Sequence, residues 1–162
     1  EVGRIDLRGS MPRNIAIALD SSACSVEALD WCLRNFLDPT DTVFLVHVRD
    51  WRPIDLPETK DRPHLKGFGY ASVSDLNKDL DKIKAQKAME LLKEFAKQAL
   101  KYGIDTDTVL LTGKVKCELC DFAEKEKIDI VIVGSRGLSM TQKLFVGSVS
   151  DYLAHNLHCS VM

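Results

Sequence analysis

The chain has no apolar run approaching the roughly 20 residues needed to cross a bilayer, and no secretory signal is visible. A membrane-spanning or exported protein is therefore not expected; a cytoplasmic one is. An excess of charge is also missing, since 22 Lys and Arg against 24 Asp and Glu leave a net charge of −2. Nothing general attracts nucleic acid or an anionic membrane, so any anion site must be local. No Walker A loop is present, because no glycine is followed at the required spacing by Gly-Lys-Ser/Thr. The dinucleotide fingerprint is missing its middle glycine in Gly134-Ser135-Arg136-Gly137, which argues against a dehydrogenase.

Metal and nucleophile constellations are equally sparse. Cys117-Glu118-Leu119-Cys120 has no second such pair to complete a zinc site, and Cys24, Cys32 and Cys159 are scattered. The pair falls within an expected helix, on a face shared with Val115 or Ala123, so ordinary packing is its expected role. Free thiols suit a reducing compartment. His47, His64, His155 and His158 form no triad with a serine. His47 reads as a hydrogen-bonded residue of a buried strand, and His155 and His158 as helix-end residues favoured by the dipole. No positioned base for water is legible, so no catalytic residue is assigned and a dedicated hydrolase is not expected.

What is present reads as one ordinary globular domain, with 45% apolar and 28% charged residues among 162. Residues 1–10 carry no apolar period, and Arg8-Gly9-Ser10-Met11 resembles an expression-vector junction. A tag or disordered arm is expected there, with the native chain starting at Met11 and a single domain over 11–162.

The apolar run Ile15 to Leu19, ending at Asp20, predicts a strand buried on both faces. Ser21 or Ser22 can cap a helix carrying Val26, Leu29, Trp31, Leu33 and Phe36, stopped near Asp38-Pro39. Thr42 to Val48 is a second buried strand, and residues 50–75, with Pro53, Pro57, Pro63, Gly67 and Gly69, a long loop. Leu76 to Tyr102 is a long helix with Leu80, Ile83, Leu91, Phe95 and Ala99 near one face, closed by Gly103. A strand at Asp107 to Thr112, a helix at Lys116 to Lys127, a strand at Asp129 to Val133 and a helix at Gly147 to Leu157 complete the alternation. Parallel strands joined by crossover helices imply an open α/β sheet, with ligands at the carboxyl ends of the strands beside the topological switch point.

One such end carries Val131-Ile132-Val133-Gly134-Ser135-Arg136-Gly137, followed after nine residues by Gly147-Ser148-Val149-Ser150. Gly134, Gly137 and Gly147 can adopt backbone angles closed to other residues and allow a ligand close to the main chain. Ser148 can cap the helix that begins there, whose first N–H groups would point at an anion. Arg136 and Lys143 can neutralise phosphate or stay solvated.

These residues resemble the universal stress protein family, whose ATP-binding members space two glycines two residues apart, then nine residues, then Gly-Ser or Gly-Thr. Gly134, Gly137, Gly147 and Ser148 stand at that spacing, and Ile15 to Asp20, Val46-His47-Val48 and Asp129 to Gly134 are similar to the family as well. The resemblance covers Asn14 to Met162. It implies a Rossmann-like fold of the adenine nucleotide alpha hydrolase type: an open, mostly parallel five-stranded sheet, helices on both faces, and a last strand cut short after Cys159-Ser160-Val161-Met162. Asp20 and the backbone around Val48 would then face adenine and ribose, with Val133, Gly134 and Gly137 bordering the adenosine. Gly147, Ser148, Val149 and Ser150 would receive the phosphates, helped by Arg136. Asp20 can contact ribose, help hold a hydrated Mg2+ (or Mn2+), or cap the first helix.

Ala18, which would also border the ligand, replaces a proline common in ATP-binding relatives, and the short last strand bears on dimerisation, because family members commonly pair through it. The resemblance implies an ATP-binding regulatory protein of the stress response, a homodimer acting through conformation or partner choice. A nucleotide-independent scaffold and a slow ATPase or ATP-using transferase are the alternatives. The segment Asp50 to Ser74 is either a lid over the adenine side or a surface insertion.

Overall fold

The computed structural model describes residues 11–49, 72–134 and 147–162. The expected arm at 1–10, residues 50–71 of the lid segment, His64 among them, and Arg136, Gly137 and Lys143 lie outside the described residues.

Five parallel strands form one sheet in the order β3-β2-β1-β4-β5, where β1 is Asn14–Ala18, β2 Thr42–Arg49, β3 Thr106–Thr112, β4 Ile130–Val133 and β5 Ser160–Val161. The expected open α/β sheet with a short last strand is what forms. Its strands alternate their side chains between faces, and both faces are covered. Ile15, Ile17 and Leu19 join one core with Leu29 and Leu33 of helix α1 (Ala23–Asn35) and Leu92, Phe95 and Ala99 of α2 (Val73–Leu100). Ala16 faces the other core, with Leu119 and Phe122 of α3 (Val115–Lys125) and Leu153 of α4 (Ser148–Asn156).

The local signals explain most boundaries. Ser22 caps α1, its hydroxyl accepting from the Ser25 N–H at 3.3 Å. Gly103, at φ +75°, ends α2 in the left-handed region, and the buried Ile104 returns a hydrogen bond to the Ala99 carbonyl.

Three expectations need correction. Helix α2 begins at Val73, not Leu76, because Ser72 caps it: the Ser72 hydroxyl accepts from the Asp75 N–H and donates to the Asp75 carboxylate, which removes 73–75 from the expected loop. The core-facing residues of α2 all lie in its second half, and Ile83 is 46% exposed. On α1, Val26 and Trp31 also face solvent, Trp31 stacking on Phe36 at 6.2 Å between ring centroids. These apolar positions match a helical period but point away from the sheet.

The sheet is locked at its amino end. Arg13 Nε and Nη2 donate to Asp41 Oδ1 and Oδ2 at 2.9 and 2.6 Å, and the Asp41 side chain is fully buried. Burial pushes the Asp41 carboxyl up, but hydrogen bonds from Arg13 and from the Asp38 N–H outweigh it and hold the carboxyl below its ordinary range.

Candidate functional site

The order of the strands creates a crevice. From β1 the chain builds outward to β2 and β3, then returns to place β4 and β5 on the other side of β1. The helices that follow β1 and β4, α1 and α4, accordingly pack on opposite faces of the sheet. Register sets Ala18 level with Val46 on one side and Val133 on the other, and the Leu19 N–H continues the ladder to the Val46 carbonyl at 2.8 Å.

At that level lies a cavity of about 340 Å³. Its apolar wall is built by Val46 and Val48, two apart on one face of β2, by Val115 and Leu119, one helical turn apart on α3, and by Val133. Its polar side holds Asp20, Ser22 and Ser25 at the start of α1, and Ser148 and Ser150 in the first turn of α4. Ala18, Leu19, Gly134, Gly147 and Val149 complete the lining.

Nine of the residues singled out from the sequence thus border one cavity: Ala18, Asp20, Val48, Val133, Gly134, Gly147, Ser148, Val149 and Ser150. Leu19, Ser22, Ser25, Val46, Val115 and Leu119 also border it and went unrecognised. Val46 was accessible through strand parity with Val48. Ser22 and Ser25 follow Asp20 closely enough to share its end of the strand. Val115 and Leu119 carried no local signal, because only the tertiary crossing of α3 brings them over β2.

The glycines act differently from expectation. Gly134 does not have a left-handed φ; a Cβ there would instead sit 3.0 Å from the Cys24 carbonyl oxygen and 3.2 Å from the Ser25 nitrogen. Its missing side chain makes room for the first turn of α1. Gly147, at φ −59° and ψ 143°, also needs no special angle. It occupies the N-cap of α4, so Ser148 is the first helical residue and does not cap; no side chain does, and the Ser150 hydroxyl donates to the Gly147 carbonyl at 2.9 Å. The first-turn N–H groups of a helix have no intrahelical acceptor, which makes this mouth of the cavity a donor-rich end.

Asp20 anchors the opposite rim, and its Oδ1 accepts from the Ser22 N–H at 2.9 Å and from the hydroxyls of Ser22 and Ser25. Among the described residues no group of three or more His, Cys, Asp or Glu is placed to hold a metal. A divalent cation here would take Asp20 as its one carboxylate from the cavity lining and complete its shell with phosphate oxygens and water, as Mg2+ commonly does.

The other titratable candidates stand apart from this chemistry. His47 is half-buried and its Nδ1 lies 2.7 Å from the Leu19 carbonyl; His155 is exposed in the last turn of α4, and His158 follows the helix rather than ending it. Cys120 packs against the second core as expected, whereas Cys117 is exposed. Burial pushes the Cys120 and Cys159 thiols up and Cys32 to about 11, away from reactive thiolate chemistry. Among the described residues no helix is long and apolar enough to cross a membrane.

Comparison with known proteins agrees with this architecture. Universal stress protein MJ0531 of Methanocaldococcus jannaschii is 27% identical over 151 residues, covering 93% of this chain and 80% of that protein. A solved universal stress protein family protein from Arabidopsis thaliana, with AMP bound, matches with a TM-score of 0.64 at 22% identity, covering 93% of this chain and 90% of that one. A universal stress protein in complex with cAMP matches with a TM-score of 0.60 at 19% identity, over 94% and 96% of the two chains. The model of the universal stress protein family matches residues 11–162, and the chain belongs to that family.

Proposed function

We propose that this protein binds an adenine nucleotide, ATP with Mg2+ (or Mn2+), at the β1/β4 switch point. It serves the stress response in the cytoplasm as a homodimer whose bound state changes conformation, pairing or partner choice. One observation carries the proposal: a single cavity runs from an apolar wall of Val46, Val48, Val115 and Leu119 to the uncapped first turn of α4. The apolar end suits a base and the donor-rich end suits phosphate. The AMP and cAMP held by the two structural relatives support the same ligand class. Gly137 is assigned to the adenosine border and Arg136 to the phosphates by the sequence alone. Turnover is not part of the proposal.

The test is to denature the purified protein, identify released nucleotide, and titrate Mg-ATP into the stripped protein. Saturable binding below millimolar ATP is expected, with little hydrolysis. Gly147→Val should weaken it at least about tenfold by placing a branched side chain at the phosphate end, while circular dichroism stays unchanged. Absence of binding at millimolar ATP would leave the nucleotide-independent scaffold as the function, and rapid turnover would make the protein an enzyme.

A further inference from the structure

Resting on the nucleotide proposal above, we infer that Ser25, which no motif singles out, is a positioning residue that sets the plane of the Asp20 carboxylate for the ribose hydroxyls of the bound nucleotide. The geometry is a closed ring. The Asp20 N–H donates to Ser25 Oγ at 2.9 Å, and Ser25 Oγ–H donates back to Asp20 Oδ1 at 2.7 Å. Because the serine oxygen already accepts from an N–H, its single proton is directed to the carboxylate. Ser22 works from the other side, its N–H and hydroxyl both donating to the same Oδ1 while its oxygen accepts from the Ser25 N–H. The 3.5 Å approach of the two hydroxyls adds no further bond, since both protons are committed to Asp20.

Three donors on one carboxylate oxygen exhaust its acceptor capacity and fix both side-chain torsions of Asp20. Ser22 is also the cap of α1, so its contribution to Asp20 cannot be separated from that of the helix. Ser25 can be separated. It is 4% exposed, lies inside the first turn, and directs its hydroxyl at the strand end rather than at its own helix. A buried serine that satisfies both the backbone and the side chain of one aspartate at a cavity rim preorganises that aspartate. The apolar opposite wall leaves the base to be held by shape, so the polar selectivity of the α1 rim falls on the sugar.

The experiment is calorimetric titration of ATP and 2′,3′-dideoxy-ATP into wild type, Ser25→Ala, Asp20→Ala and the double variant, each well below its thermal midpoint. Wild type should prefer ATP. Ser25→Ala should weaken ATP by about fivefold, the value of one hydrogen bond, and leave the dideoxy analogue within about twofold. In the Asp20→Ala background the same change should have no further effect on ATP. Ser25→Cys, nearly isosteric but a far weaker donor, should repeat the loss and serves where the alanine variant does not fold. Equal weakening of both nucleotides, or a full effect without Asp20, would overturn the inference and assign Ser25 to folding alone. Equal wild-type affinity for both nucleotides would overturn it while leaving the nucleotide site standing; no ATP binding at all would remove both.

Discussion

At the scale of single residues, Gly134 shows how a functional motif can be constrained by packing. The motif spacing puts a glycine at the end of β4, and the atoms it spares are main-chain atoms of Cys24 and Ser25. Gly134→Ala should therefore press on the first turn of α1 and cost about 1 to 2 kcal/mol, read as a lower midpoint in urea. Nucleotide affinity should fall with it, because that turn carries the residues that hold Asp20; unchanged stability would show that α1 yields freely. The same contact shows what was legible. Asp20, Gly134 and Gly147 announced themselves through spacing along the chain. Val115 and Leu119 did not, since an apolar pair one turn apart on a helix looks the same whether it covers a strand or a ligand.

At the scale of elements, the alternation of strands and helices was readable because buried parallel strands are continuously apolar and helices carry caps. Boundaries slipped where the cap was overlooked, as at Ser72 with Asp75. Burial slipped along α2, where Leu80 and Ile83 fit the period but the packed stretch starts only at Ala88. Periodicity reports which residues share a face, and not how much of that face meets the sheet. The 28 residues of α2 should accordingly divide in hydrogen exchange. Amides before Lys87 should exchange at least about tenfold faster than those from Ala88 to Ala99, the stretch that Ala88, Leu92, Phe95 and Ala99 anchor in the core. Uniform protection along the helix would contradict this division.

The whole molecule separates its lock from its site. Arg13 and Asp41 close the amino ends of the strands, and the cavity opens at the carboxyl ends. The Asp41 side chain is buried while Arg13 still reaches solvent, so Asp41→Asn should destabilise by about 2 kcal/mol, the range of a charge-assisted hydrogen bond, while leaving nucleotide affinity unchanged. The pH dependence has a definite sign. The Asp41 carboxyl is held below its ordinary value in the folded state, so its contribution is fully present above about pH 4 and is lost as pH falls further. Urea unfolding of the wild type should show that loss below about pH 4, and the Asn variant should lack this part of it. A variant that keeps the wild-type acid profile would place the titration elsewhere.

The pairing of β4 with the edge strand reaches further than its length suggests. Val133, which lines the cavity, donates its N–H to the Met162 carbonyl at 2.9 Å, so one residue touches both the ligand crevice and the border of the sheet. If occupancy of the crevice and docking along that border both bias this shared strand, the two equilibria are linked. Any factor by which a second molecule seated on β5 tightens or loosens nucleotide is the factor by which nucleotide tightens or loosens that molecule, and measuring either affinity in both states yields the other.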